Sequence, residues 1–418
     1  MSGKHYFFLL SFAFLITGNL VGAGILALPI NTGLSGFFPS LVIMLVMASA
    51  MYYSAVILGR EAANEKSPSF NYPSLYHSYL GFFGKWLAIL ANLLILYGLL
   101  TAYLTGATSI ITHLFNLPLP EWAVLLCFFL MITAFNLTES KTIRKYNILL
   151  IVVMWISFAV IVILSETKVE IQRLAYTDWN FAIAAVPIIL TSFHFHNIIP
   201  HVCHGLDWDM KKIWRAMLIG IVIGYAMNSI WIQVGVGSLP LEGSDASLLA
   251  AFEQGLPATV PMSKIISSPL FVTGSLLFAL LAIITSYLAN GLGLMGFYDD
   301  LTKNHLGLDN RFLVYVLTFG PPLFISMLYP DIFLKAVNVV GGIGIAILFG
   351  ILPCSLGIRK AKSKAAKVLG YAFLMVFSTV LIFEICQEAG LLRIHPEVEY
   401  WHDNVGASHL KGRGVKNP

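Results

Sequence analysis

Thr17-Gly18-Asn19-Leu20-Val21-Gly22-Ala23-Gly24-Ile25-Leu26-Ala27-Leu28-Pro29 lies inside the first long apolar segment of the chain, which begins near Tyr6. Three glycines, an asparagine and a closing proline predict a helix that loses its winding midway, because Gly and Pro are the weakest helix formers. In lipid, unwound backbone persists only where protein or a water-filled cavity satisfies its N–H and C=O groups. A second stretch of this kind, Thr191-Ser192-Phe193-His194-Phe195-His196-Asn197-Ile198-Ile199-Pro200, falls in the sixth apolar segment. Two interrupted membrane helices at corresponding places in two halves of a chain point to a solute site near the bilayer midplane. The competing reading of Gly18 and Gly22 is a small-xxx-small face for close helix packing. Gly24, Asn19 and Pro29 tip the balance toward true unwinding.

The rest of the chain fits that setting. Of 418 residues, 58% are hydrophobic and only 11% charged, with a mean hydropathy of +0.81. A soluble domain carries roughly 25% charged residues, so this chain cannot coat a water-exposed surface and reads as an all-α polytopic membrane protein. Cys127, Cys203, Cys354 and Cys386 have no spacing pattern and read as small buried hydrophobes. Lys4-His5 before an apolar run looks like a secretory signal, but cleavage would sever Gly18–Pro29 from their helix, so it reads as a retained first span.

A span needs about 20 largely apolar residues. Eleven are predicted, near 6–33 (broken), 37–59, 82–113, 121–138, 146–165, 179–202 (broken), 213–237, 264–297, 312–328, 332–356 and 368–390. With the N-terminus inside, seventeen of the 25 Lys and Arg fall on the inner side, clustered at Lys211-Lys212-Arg215 and Arg359–Lys367 among others. That asymmetry satisfies the positive-inside rule and puts the C-terminus outside. Residues 1–390 then form one membrane domain, with spans one to five (about 6–165) and six to ten (about 179–356) as a candidate repeat. The eleventh span is an addition, and residues 391–418 form a polar tail expected to be disordered. The outer loop from Ser238 to Ser263 carries Glu242, Asp245 and Glu253, and is expected to form a short helix or a partial cover.

Ionisable residues within a span are functional candidates by default. His194 and His196, flanked by Phe193 and Phe195 at mid-depth, are candidates to line the site and to respond to protons. His201 and His204 belong to the inner end, where histidine is unremarkable. A metal role for the pair lacks the carboxylate that a hard divalent ion would demand. Thr285 and Ser286 in the eighth span could meet carbonyls freed near Gly18 and Val21 and form a small cation pocket. Alone they would more often bond their own helix backbone. In the third span, Tyr97 and Thr101 are candidate pocket residues, among Asn92 and Tyr103.

The Gly18–Pro29 stretch resembles the first-helix signature of the hydroxy and aromatic amino acid permeases, the bacterial tyrosine- and tryptophan-specific permeases. That family lies within the amino acid/polyamine/organocation superfamily. Thr191–His196 with Pro200 resembles its sixth-helix motif, and Thr285-Ser286 and Tyr329-Pro330 match as well, over nearly the whole chain. The resemblance implies a LeuT-type 5+5 inverted repeat with discontinuous helices one and six and eleven spans. It implies import of tyrosine, tryptophan or phenylalanine across the bacterial inner membrane, usually driven by protons. It implies that Gly22, Ala23 and Gly24 offer N–H groups to the substrate carboxylate beside Asn19. Carbonyls around Ser192–Phe195 would take the ammonium, and Phe193, Phe195 and Tyr97 would hold the side chain. Two departures stand out: His194 occupies a position that is usually glycine, and Asn147-Ile148-Leu149-Leu150-Ile151 lacks a lysine that some members carry.

The expectation is an alternating-access symporter, not an enzyme, that moves an aromatic amino acid inward with a proton or, less favoured, sodium. No cofactor, metal or nucleic-acid partner is expected, and the bilayer is the surrounding medium. The rivals are a transition-metal transporter on the same fold using His194 and His196, and a membrane enzyme built on His201, Cys203 and His204. A purely structural or channel role would predict a continuous first helix.

Overall fold

The computed structural model describes residues 3–67, 70–115, 118–137, 140–305 and 308–392. The polar tail expected after Leu392 lies outside the described residues, as do the side chains of the lysine-free Asn147-Ile148-Leu149 stretch. The first apolar segment forms two helices, α1 (Gly3–Leu20) and α2 (Ala23–Gly33), bent by 60° at Val21-Gly22. The unwinding falls where the glycines predict it. Pro29 sits inside α2 and lacks the N–H that would bond the Ile25 carbonyl. The Trp231 indole N–H takes that carbonyl instead, at 2.8 Å, and the Ala258 N–H bonds the Leu26 carbonyl at 2.9 Å.

α3 (Phe37–Glu65) follows a tight turn at Gly36, where φ is +91° and a Cβ would lie 2.1 Å from the Tyr176 carbonyl oxygen. α4 (Tyr72–Phe115) is interrupted at Gly81 (φ +63°), so a short helix precedes the span predicted to start near residue 82. α5 (Glu121–Leu137) and α6 (Ser140–Glu166) complete the first half. The sixth apolar segment, Trp179–Gly205, contains α7 (Val186–Ser192) and α8 (Ile199–Gly205). Between them residues 193–195 are non-helical, and His196–Ile198 forms a single 3-10 turn.

α9 (Met210–Ser238) then packs along both α1 and α2. The outer loop forms α10 (Leu248–Glu253) and α11 (Thr259–Ile266), with Leu248 pressed onto Gly33 and Ala258 tied to Leu26. These short helices cover α2, so the loop combines the two forms expected of it. α12 (Pro269–His305) and α13 (Arg311–Leu328) follow. α14 (Phe333–Val339) runs into a π-helix over Val340–Ile351 and then α15 (Leu352–Lys360). π-Helices are rare, and nothing in the hydropathy pattern anticipates this one. Its glycines pack closely on both sides. A Cβ at Gly341 would meet the Pro187 oxygen at 1.9 Å, and one at Gly342 would meet Glu384 Cγ at 2.5 Å. Glu384 belongs to the last helix, α16 (Lys364–Glu388).

Among the described residues, eight helices are long and apolar enough to cross a bilayer, or nine with α1 and α2 counted as one bent span. Two further apolar helices, Glu121–Phe135 and Val152–Glu166, are shorter. Every residue of α2 is buried, which puts the half-helix beyond the first break at the centre of the molecule.

Candidate functional site

The two breaks meet. A Cβ on Gly24 would lie 2.8 Å from Ser192 N and Oγ and 2.9 Å from its Cα, so only a glycine lets α2 approach the end of α7 this closely. Beside this contact lies a cavity of about 150 Å³. Gly18, Asn19, Leu20, Gly22, Ala23 and Gly24 line it from the first break. Thr191, His194 and Asn197 line it from the second, and Thr285, Ser286, Ala289 and Asn290 from α12. Tyr103 and Leu99 of α4 and Met154 of α6 close it, with Phe14 and Leu15 on its open side.

The opening faces one end of the molecule. Phe14, Leu15, Asn197 and Ala289 are exposed, whereas α2 is wholly buried on the opposite side under α10 and α11. That open end is the one bearing Arg60 at the end of α3 and Lys211 at the start of α9.

The cavity mixes polar and apolar walls and carries no fixed charge, since no Asp, Glu, Lys or Arg is among its lining residues. Tyr103 is the hub of its hydrogen bonds. Its hydroxyl lies against the Ala23 backbone and Ser286, and accepts from Asn290 Nδ2 at 3.5 Å. Asn290 Nδ2 also bonds the Ser286 carbonyl at 2.8 Å, and Ser286 Oγ donates to the Val21 carbonyl at 3.4 Å. The oxygens expected to form a cation pocket are partly engaged. The Gly18 carbonyl takes the Val21 N–H at 3.3 Å. Thr285 Oγ1 turns back to the Leu281 and Ala282 carbonyls of its own helix, at 2.8 and 3.3 Å.

Several expected pocket residues lie elsewhere. Phe193 and Phe195 are fully buried outside the cavity lining, because in the non-helical 193–195 stretch their side chains leave the side that His194 occupies. His196 is also fully buried: its Nε2 pairs with Ser54 Oγ at 2.7 Å, and its carbonyl takes the Tyr72 hydroxyl. Its ring and that of His194 both pack on Phe349, with centroids 5.0 Å away. Ser192 lies beneath Gly24, its hydroxyl bonded to the Ile188 carbonyl at 3.0 Å, and does not line the cavity.

Tyr97 donates to the Leu317 carbonyl at 2.7 Å and pairs with Tyr298, while Thr101 is buried away from the cavity. Tyr97 and Thr101 stand one turn apart on one helix face. Leu99 and Tyr103, also one turn apart, stand on the opposite face, and that is the face the cavity meets. The same period would have added Ala289 and Asn290, one turn beyond Thr285 and Ser286. Among the described residues no three His, Cys, Asp or Glu converge, so His194 and His196 have no third metal ligand.

The sequence profile of the tryptophan/tyrosine permease family matches residues 8–389. The chain is similar to the tyrosine-specific transport system 1 of Haemophilus influenzae, with 28% identity over 82% of this chain and 86% of the relative. It is similar to that organism's tryptophan-specific transport protein, with 26% identity over 90% and 94%. It is also similar to the glutamine transporter 2 of Aliivibrio fischeri, with 25% identity over 85% and 90%. In fold it is similar to a manganese transporter of Eremococcus coleocola, with a TM-score of 0.58 and 14% identity over 97% of this chain and 93% of that one.

Proposed function

The chain belongs to the tryptophan/tyrosine permease family, and from that membership we propose that it is a secondary active transporter importing tyrosine or tryptophan by cation symport. The observation that carries this reading is the contact of the two helix breaks at one uncharged cavity. α2 begins there, so its first N–H groups present the positive end of a helix dipole. α7 ends there, and its last carbonyls present the negative end. A zwitterion complements this pair. Its carboxylate meets the N–H groups of Gly22, Ala23 and Gly24, and its ammonium the backbone carbonyls at Thr191 and His194, where the second break lines the cavity.

Backbone dipoles suffice because both substrate charges are answered without a buried ionic side chain, which would cost about 3 kcal/mol or more at mid-membrane. Asn19 and Tyr103 add neutral hydrogen bonds. The cavity, about 150 Å³, is below the roughly 300 Å³ at which ligand pockets usually begin. The substrate ring therefore reaches past Leu99 and Met154 toward Leu15 on the open side.

The coupling ion is a proton in this reading. A sodium ion stripped of water needs a cage of free oxygens. Here the Gly18 and Val21 carbonyls each already accept a hydrogen bond, and only Thr285 Oγ1, which gives its proton to its own helix, keeps both lone pairs free. Counting the two shorter apolar helices gives eleven crossings, arranged as two five-span repeats with α16 added. Lys and Arg asymmetry supports an N-terminus in the cytoplasm and a C-terminus in the periplasm. The cavity then opens to the cytoplasm, the state in which an importer releases its load. No chemistry on the substrate is part of this reading.

The test is uptake of labelled tyrosine and tryptophan into proteoliposomes under imposed pH or sodium gradients, with glutamine as competitor. Proton-driven uptake of either aromatic amino acid, poorly competed by glutamine, is expected. Absence of gradient-driven uptake of both would overturn the proposal.

A further inference from the structure

A second and larger concavity lies on the outer wall of the bundle, away from the candidate transport site. It is a groove of about 730 Å³ between α3 and α9, with the start of α16 as its third wall. Its floor and sides are apolar over most of their length: Leu45, Ala48 and Val56 on α3, and Leu218, Ile221 and Val222 on α9. One end differs. There Arg60 of α3 and Lys211 of α9 both reach the groove, beside Tyr52, Tyr53 and Trp214. Tyr52 ties the helices there by donating to the Trp214 carbonyl at 3.3 Å, and Tyr225 ties the far end by donating to the Leu41 carbonyl at 3.2 Å.

Two features make this more than lipid-facing surface. The first is length. From Leu45 to Arg60 is about 22 Å of helix and from Lys211 to Tyr225 about 21 Å, at ~1.5 Å per residue. One leaflet contributes about half of the ~30 Å hydrocarbon core, so the groove runs from headgroup level to just past the midplane. The second is charge. The nearby carboxylate of Glu61 is taken by Lys360, and Asp209 pairs with Lys212. Among the described residues no ion-pair partner is recorded for Arg60 or Lys211. Two uncompensated cations beside an aromatic rim, at the mouth of a one-leaflet apolar trough, complement one kind of molecule.

We propose that the α3/α9 groove binds an anionic glycerophospholipid of the inner leaflet, its phosphate between Arg60 and Lys211 and one acyl chain along Ala48 and Ile221. The assignment of leaflet rests on the topology given above; the binding itself does not rest on the transport reading.

The test is lipid retention by the purified protein. Wild type is exchanged into nanodiscs of phosphatidylcholine carrying a minor fraction of phosphatidylglycerol, released, and read by native mass spectrometry. One tightly held phosphatidylglycerol is expected. Each basic side chain near the surface contributes about five-fold, so Arg60→Gln with Lys211→Gln should weaken retention about 30-fold. Ser49→Trp, which fills the trough and leaves both cations in place, should also lower it. A measurement on wild type guards against misfolded variants: brominated phosphatidylglycerol should quench Trp214 fluorescence, read as the difference from Trp214→Phe, more than brominated phosphatidylcholine does. Equal retention and equal quenching for the two lipids would overturn the proposal, whatever the uptake assay returns.

Discussion

Gly24→Ala tests the contact on which the site depends. The added methyl would sit 2.8 Å from both Ser192 N and Ser192 Oγ and 2.9 Å from Ser192 Cα. The hydroxyl could rotate away, but the two backbone atoms cannot. Ordinary contact begins at 3.4 Å, so α2 and α7 would have to separate by about 0.6 Å, and overpacking of a tight interior costs about 1–3 kcal/mol. If that penalty falls on the state in which the breaks touch, its population drops about 5- to 150-fold relative to states in which they separate. Initial uptake rate should fall within that range, with a lower melting temperature in the same detergent. Gly296→Ala is the matched control, because a Cβ there has nothing within 4 Å, and it should transport and melt as wild type. Were Gly24→Ala indistinguishable from that control in both assays, the two breaks would not meet as described, and the zwitterion site would lose its basis.

Other substitutions separate the roles of individual side chains. His194→Ala should raise the apparent KM for uptake, whereas His196→Ala, which removes a fully buried ring from against Phe349 and Ser54 and leaves a cavity, should lower the melting temperature with less effect on KM. Tyr103→Phe removes the hydroxyl that meets Ala23, Ser286 and Asn290, and should reduce kcat/KM in uptake about five-fold while the protein stays folded, since a hydrogen bond is worth about 1 kcal/mol net. Trp231→Phe leaves the Ile25 carbonyl without a donor and should destabilise by about 1–3 kcal/mol in a thermal melt. Glu61→Gln breaks the pair with Lys360 Nζ at 2.6 Å that ties α3 to α15. With Lys360 about a third exposed, the loss should be about 1–2 kcal/mol.

What could be read from the sequence follows from which interactions are local. The break at Val21-Gly22 was legible because Gly and Pro act on the backbone where they stand, and no tertiary contact is needed to know that the helix fails there. The onset of the α4 span after Gly81 and the seat of His194 in an unwound stretch were legible for the same reason. Which face of a helix meets the cavity is a tertiary fact. Tyr97 and Thr101 looked as suitable as Tyr103, since polarity in α4 does not separate the two faces; Tyr97 is satisfied by the Leu317 carbonyl and Tyr298 instead. In the unwound stretch the 3.6-residue period no longer applies at all. The aromatic run Phe193–Phe195 therefore suggested a ring-binding wall, while its rings went to the core.

The same distinction explains how α2 tolerates Pro29. A proline inside a buried membrane helix leaves a carbonyl that lipid cannot satisfy. The repair is supplied from more than 200 residues away by the Trp231 indole, with Ala258 of the outer cover bonding the next carbonyl, Leu26. Pro29 thus fastens α2 to α9 and to the outer cover, while below the Val21-Gly22 break α1 rests on the same α9, with Thr17 Oγ1 donating to the Gly220 carbonyl at 3.2 Å and Ile16 and Leu20 pressed onto Gly220 and Gly224. Both halves of the broken first span are therefore anchored on one helix, α9, which holds the unwound Val21-Gly22 link in place between them.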